Sequence, residues 1–209
     1  MTATVRRRFP IYDGAPYSLV FDRLLRGVHR RVAERVPGGS RCLDVCCGTG
    51  GLTFQLAQRC TRVVGIDHSP AMISRAETLR IDRGFEHVAF RVADATGLGG
   101  LSRSGFDVAV VAMGLHEMPA VERARVLPGL LGIVRRVVIV DFAVPMPGNL
   151  AGIRNRGFEL IAGPRHYAGF RDYTRRGGLP PLVEDCGATV VFERSLDRGT
   201  LTLMEIAAR

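Results

Sequence analysis

The 209-residue sequence predicts an α/β protein, with a mostly parallel sheet, helices on both faces and a C-terminal antiparallel hairpin. Three observations carry that prediction. Short apolar runs alternate with helix-periodic segments through five βα units. The run CLDVCCGTGG, Cys42 to Gly51, sets a glycine loop between the first strand and its helix. After the last unit, two strand-like runs flank Asp197-Arg198-Gly199, a turn of hairpin type.

The elements follow in order. Leu24, Leu25, Val28, Val32 and Val36 recur at helical spacing, with arginines elsewhere and Pro37-Gly38-Gly39 as a stop, so Leu19 to Val36 reads as a helix ahead of the sheet. Arg41 to Val45 is a buried strand, Gly48, Gly50 and Gly51 let the backbone turn and approach a ligand, and a helix runs from Leu52 to Arg59. Next come strand Arg62 to Ile66, helix Ala71 to Arg83, strand Val88 to Val92, strand Phe106 to Ala112, helix Ala120 to Val134 and strand Arg136 to Asp141. Continuous apolar strands of this kind suit a parallel sheet covered on both sides. Val140 to Gly187 is a long interruption with Pro145-Met146-Pro147-Gly148, a helix-like Leu150 to Ala162 and GPRHYAGFRDYTRRGGLPPL. Ligands of open α/β sheets sit beyond the carboxyl ends of the strands, and this connection leaves from one of them, so an insert over about 145–180 is the expected substrate-recognition segment. Ala188 to Phe192 and Thr200 to Ile206 form the closing hairpin.

Composition bounds the function. All 29 basic residues are arginine, which excludes lysine Schiff-base or lysine general-base chemistry. The net charge of +9 admits nucleic acid, an anionic membrane surface or an acidic substrate without choosing among them. No run approaches the ~18 apolar residues of a membrane span, and MTATVRRRFP leads into polar, proline-broken sequence, so a cytoplasmic protein is expected, with peripheral membrane contact left open. Cys42, Cys46, Cys47, Cys60 and Cys186 lack zinc-site spacing, and their odd count fits no disulfide framework. They read as buried small side chains, with thiol chemistry at Cys46 and Cys47 as the lesser reading, and no metal site is expected.

The ligand is narrowed by two acids. Asp67 closes the second strand, in VVGIDHSP, where nucleotide-binding α/β folds place a carboxylate for ribose hydroxyls. A dinucleotide loop reads G-x-G-x-x-G, whereas here Cys46 stands at the first glycine and Asp44 precedes the loop inside the strand, a carboxylate suited to a cationic ligand.

On these residues DVCCGT-G resembles motif I of the class I S-adenosyl-L-methionine methyltransferases, D-x-G-x-G-x-G, with Asp44, Gly48 and Gly50 matching and Cys46 replacing the usual glycine. Its paired cysteines are similar to the loop of some quinone-ring C-methyltransferases, and the likeness runs from Tyr12 to Ile206. The resemblance implies a Rossmann-like methyltransferase fold with a seven-stranded sheet, in one domain over residues 1–209 with an N-terminal helical lid at about 9–36. It further implies S-adenosyl-L-methionine as cofactor, S-adenosyl-L-homocysteine as product and a small-molecule acceptor.

Carried across position by position, the resemblance places Asp44, Cys46, Gly48, Thr49 and Gly50 at the methionine portion and Asp67 at the ribose. Asp94, with Ala95 beside it, falls at the adenine, and His68, Met72 and Met113 join the cofactor-binding set. Tyr17, with Tyr12, would fold over the methionine end. An Asx turn or helix cap after a strand is the lesser reading of Asp94, and a hydrophobic staple before a helix the other reading of the tyrosines.

AMGLHEMP, Ala112 to Pro119, lies where the family faces both cofactor and substrate, and it is not the N-P-P-[YF] box of nucleic-acid amino-methylating enzymes. His116 has the intrinsic pKa to take a proton from a phenol or enol, with Glu117 orienting it or making a structural salt bridge and His166 as its competitor; packing or helix capping is the other reading of His116. Around His166, Tyr167 and Tyr173 stand Arg165, Arg171, Arg175 and Arg176, which suit a planar anionic acceptor or else a solvated basic helix with Phe170 and Tyr173 packed inward. The acceptor expected is a quinone-like or phenolic compound methylated at carbon or oxygen. An RNA or protein methyltransferase using the basic surface, and a non-catalytic cofactor-binding protein, are the alternatives.

Overall fold

The computed structural model describes residues 15–98 and 105–208, with side chains from Asp22 onward. Seven strands form one sheet in the order β3-β2-β1-β4-β5-β7-β6. β1 (Arg41–Val45), β2 (Arg62–Asp67), β3 (Val88–Val92), β4 (Val108–Ala112) and β5 (Arg136–Phe142) are parallel; β7 (Leu201–Ala207) enters antiparallel between β5 and β6 (Thr189–Leu196). The sheet grows one way from β1 through β2 to β3 and the other way through β4 to β5, so the order reverses between β1 and β4. Ligand crevices of open α/β sheets form at that point. The register pairs Val45 with both Ile66 and Val111, and Ala112 with Val140, which brings the carboxyl ends of the central strands to one edge.

Val137 to Phe142 and Cys42 to Val45 are buried throughout, as strands with both faces covered must be. β6 is exposed along most of its length and lies at the sheet edge. It runs to Leu196 rather than stopping at Phe192, because the pairing with β7 continues through Glu193↔Met204 and Arg194↔Leu203, and charged side chains are cheap on an open edge.

The helices depart from expectation at their ends. α1 (Ala15–Ala33) closes its last turn with Arg35 N–H donating to Val32 O and Val36 N–H to Ala33 O, the tightened i→i+3 pattern of a helix terminus. α2 is only Thr53–Leu56, and Gln58 and Arg59 continue it with i→i+3 bonds. α3 (Pro70–Asp82) starts on Ser69, whose Oγ accepts Met72 N–H at 3.4 Å. α4 (Ala120–Leu131) ends at Gly132.

The insert holds three helices where the sequence suggested one. α5 (Leu150–Ile161) begins on Asn149, which accepts Gly152 N–H at 2.9 Å. Gly163, at φ 112°, breaks the chain before α6 (Pro164–Arg175), and Gly177 and Gly178, at φ 88° and 77°, before α7 (Leu179–Asp185). α6 turns Phe170 and Tyr173 into the core, so the inward-packed reading of that pair holds. Gly169 lets α6 approach the chain after β4: a Cβ there would lie 2.7 Å from Glu117 O and 3.0 Å from His116 O. No helix among the described residues is long and apolar enough to cross a membrane.

Candidate active site

The crevice has two ends. At the β1–β2 end, Cys46, Gly48 and Gly50 adopt left-handed backbone at φ 60°, 54° and 85°. Glycine adopts this region freely, whereas a side chain at Cys46 costs on the order of 1 kcal/mol, which explains why glycine is usual there. Gly51 has a different reason to be glycine than the sequence suggested. A Cβ at Gly51 would fall 2.5 Å from Asp22 Oδ1 and 3.1 Å from His29 Cε1, so it admits α1, not a ligand. Thr49 is fully buried and donates its hydroxyl to Asp22 Oδ2 at 2.7 Å, which fastens α1 to the loop.

Asp67 ties the loop to the end of β2. Its Oδ2 accepts Gly48 N–H at 3.0 Å and its Oδ1 accepts Ser69 N–H at 2.8 Å. His68 is exposed beside it, with Nδ1 3.5 Å from Asp67 Oδ1, and Met72 is buried below the Ser69 cap. Ala93 N–H bonds to Asp67 O at 3.0 Å, bringing Asp94 to the neighbouring strand end. Asp94 Oδ1 accepts both the N–H and the hydroxyl of Thr96 at 2.8 Å, an Asx turn that lowers its pKa; Ala95 beside it is buried.

Asp44 lies beneath the loop, 1 % exposed, accepting Thr53 Oγ1–H at 2.6 Å. Burial raises its pKa to about 7; the Thr53 bond opposes this and the nearby Asp67 carboxylate adds to it. A buried acid whose neighbours are a neutral hydroxyl and a second acid is matched by a cationic ligand. Burial also pushes the Cys46 and Cys47 thiols well up, which holds them as weak nucleophiles.

At the β4–β5 end, Met113 turns the chain at φ 54°, and Leu115–Glu117 form a 3-10 turn. The two ends touch here, since a Cβ on Gly114 would meet Cys46 Cβ at 2.7 Å. His116 is 2 % exposed, Asp141 0 % and Glu159 6 %. Asp141, on β5, accepts Leu115 N–H at 3.0 Å and His116 N–H at 3.2 Å on Oδ2, and its Oδ1 lies 2.7 Å from His116 Nδ1. On the other side of the ring, Nε2 stands 3.6 Å from Glu159 Oε1 and 3.9 Å from Glu117 Oε1. Burial lowers the His116 pKa, but Asp141 and Glu159 outweigh it and raise the pKa well above the ordinary histidine value. This favours the imidazolium form of the ring. Arg123, buried on α4, braces the turn by donating to Leu115 O at 2.8 Å and Met118 O at 2.7 Å, and pairs with Asp172 of α6 at 3.2 Å.

A cavity of about 110 Å³ opens beside this cluster, walled by Leu25 and Val28 of α1, by Met113 and Phe142, and by Phe158 and Glu159 of α5, with Glu117 at its edge. The structure thus gathers Met113, His116 and Glu117 around one cavity, and Gly48 and Asp67 in one hydrogen bond. His166 lies outside the cavity lining, its Nδ1 3.5 Å from Glu117 Oε1, and Tyr167 stacks on Phe170. Asp141 rather than Glu117 orients His116. Tyr17 lies in α1 ahead of the described side chains, and Tyr12 falls outside the described residues.

Asp141, Glu159, Asp22 and Arg123 were not anticipated. Asp141 carried the signal that singled out Asp67, an acid closing an apolar strand; the other three had none.

Comparison with known proteins agrees with this geometry. A methyltransferase-domain family model matches residues 42–146, from β1 to just beyond β5. The demethylmenaquinone methyltransferase of Beutenbergia cavernae is 32% identical over 218 residues, covering 95% of this chain and 85% of that protein. The chain belongs to the class I S-adenosylmethionine-dependent methyltransferases. This methyltransferase is also 29% identical over 180 residues to the 2-phytyl-1,4-naphthoquinone methyltransferase of Thermosynechococcus vestitus, covering 82% of this chain and 78% of that one. The fold matches that of magnesium protoporphyrin IX methyltransferase from Synechocystis PCC 6803, solved with bound S-adenosylmethionine, at a TM-score of 0.59 and 19% identity over 92% of this chain and 82% of the other. The methyl donor of this methyltransferase is S-adenosylmethionine.

Proposed function

We propose that this methyltransferase acts on a small aromatic acceptor of quinone-like or phenolic type, methylating carbon or oxygen. The observation that carries the reading is the buried Asp141–His116–Glu159 cluster, of which His116 and Glu159 line a largely apolar cavity beside the carboxyl ends of β4 and β5. Two relatives named for naphthoquinone-type acceptors support it.

The donor's sulfonium supplies an already activated methyl group. The protein's part is to position, exclude water and handle a proton. Asp44 lies under the Cys46–Gly50 loop to oppose the donor's positive charge, and Gly48, Thr49 and Gly50 shape the bed for its methionine end. The lone pairs of Asp67 not used by Gly48 and Ser69 would accept the ribose hydroxyls, with His68 beside them. Asp94, Ala95 and Met72 would hold the adenine, and α1 would cover the crevice as a lid. Met113 separates donor from acceptor. Its raised pKa favours the protonated form of His116, so the acids beside it are the proton acceptors of the cluster. Glu117 and His166 form its outer edge.

Calorimetric titration with S-adenosylhomocysteine, with NAD as control, tests the cofactor side, and methyl transfer to a panel of naphthoquinols, phenols and RNA tests the acceptor. Micromolar product binding with transfer to an aromatic small molecule is expected. Transfer to RNA alone, or to nothing while the product binds, overturns the acceptor reading.

A further inference from the structure

The His116 cluster holds one carboxylate more than orientation requires. Asp141 alone fixes the ring, through Nδ1 and two backbone N–H groups. Glu159 comes from α5 and turns its Oε1 to His116 Nε2 at 3.6 Å. Its Oε2 is buried and has no hydrogen-bond partner among the described residues. A buried carboxylate oxygen without a donor is costly, and such groups persist where a ligand completes them. The surroundings offer little else. The cavity it lines is walled also by Val28, Met113, Phe142 and Phe158, and Arg154, the one guanidinium of the lining among the described residues, donates to Asn155 Oδ1 at 3.1 and 3.0 Å and to Asp197 Oδ2 at 2.7 Å.

We propose that Glu159 is a catalytic and specificity-determining residue: its Oε2 receives a hydroxyl of the methyl acceptor and takes that hydroxyl's proton as the methyl group is transferred. The inference rests on the proposed reading of an aromatic acceptor. In transfer to oxygen, the donor's carbon–sulfur bond breaks with its electron pair left on sulfur, the methyl carbon bonds to the acceptor oxygen, and the proton ends on Glu159 Oε2. In transfer to a ring carbon, Glu159 returns the proton to the oxygen as the ring C–H proton leaves to solvent. His116 stays protonated throughout and neutralises Glu159 in its buried position. The charged groups that share the cavity lining with this carboxylate are His116, Glu117, Arg154 and Asp197, and Asp141 lies behind the His116 ring, so an acceptor with a carboxylate at this point meets two further acids, whereas a hydroxyl meets a strong acceptor of its hydrogen bond.

The test compares 1-naphthol with 1-methoxynaphthalene, which lacks the donor, by calorimetry on the full chain saturated with S-adenosylhomocysteine. The native protein should bind 1-naphthol at least about ten-fold more tightly, and Glu159→Leu should bring the two within about two-fold while S-adenosylhomocysteine affinity is unchanged. Glu159→Gln, nearly isosteric, serves if the leucine variant does not fold, and should retain a reduced preference. Equal binding of the two naphthalenes by the native protein, no binding of 1-naphthol, or an undiminished preference in the variants overturns the role of Glu159. Failure of the functional reading looks different: S-adenosylhomocysteine is not bound, or no aromatic of the transfer panel is methylated.

Discussion

The two ends of the crevice hold their polar groups by different means. At the β1–β2 end, backbone does the holding: Asp67 grips the N–H groups of Gly48 and Ser69, and left-handed residues shape the loop around a ligand's path. At the β4–β5 end, side chains from three elements, His116, Asp141 and Glu159, converge with their charges set against one another. The first arrangement is rigid and chemically passive, fit for an invariant donor. The second is a buried charge cluster whose protonation can change, fit for an acceptor that must lose a proton.

The comparison can be broken from the acceptor side first. Asp141→Ala removes the partner of three backbone N–H groups, those of Leu115, His116 and Phe142, and the nearer of the two carboxylates on the buried His116 ring, so urea unfolding should show a loss of about 3–5 kcal/mol, the largest effect expected. Retained stability in that variant would mean that His116 is not held as an ion. Asp67→Ala should do the reverse in kind: S-adenosylhomocysteine affinity falls by about ten- to a hundredfold, as for loss of hydrogen bonds worth about 1–3 kcal/mol, while the cavity beside His116 keeps its shape. Unchanged affinity by calorimetry removes Asp67 from the cofactor site.

A pH series sharpens the contrast. The Asp44 pKa is raised from its unfolded value to about 7, so the folded chain binds a proton that the unfolded chain has lost. That group's contribution to stability therefore falls as pH rises from about 4 to about 7. The ionised form suits the ammonium of S-adenosylhomocysteine, so affinity should tighten by less than about ten-fold per pH unit up to pH 7 and then level off. Asp44→Asn should flatten that rise; a slope that survives the substitution points to another group. The smallest effect belongs to a pair away from both ends. Arg41 and Asp107 meet at 2.7 Å on the surface, and Arg41→Ala should leave the urea midpoint and S-adenosylhomocysteine affinity unchanged, because exposed ion pairs contribute little.

Legibility in the sequence follows the same division. Gly48, Gly50 and Asp67 were readable because a left-handed turn needs glycine and a strand-closing acid beside a glycine loop has few other uses. Gly51 misled, since nothing local reveals that Asp22 and His29 of α1 press against it. His116 stood out by its chemistry, yet its partner was sought next door in Glu117, whereas the 3-10 turn aims the ring at β5. Glu159 looked like any acid on a helix. The arginines around α6 read mostly as a solvated basic face, in keeping with which Arg176 pairs with Asp172 and Arg171 lies over the Tyr167 ring.

By itself the sequence determined the βα order, the hairpin close, the glycine loop and the acids at the strand ends, because strand and helix periodicity and backbone conformation act over a few neighbouring residues. Tertiary structure decided the acceptor site. The pairing of Ala112 with Val140 sets the turn after β4 beside Asp141, and α5 brings Glu159 to its other side. The two carboxylates, acting against burial, then raise the pKa of a histidine that, in the unfolded chain, is largely neutral at pH 7.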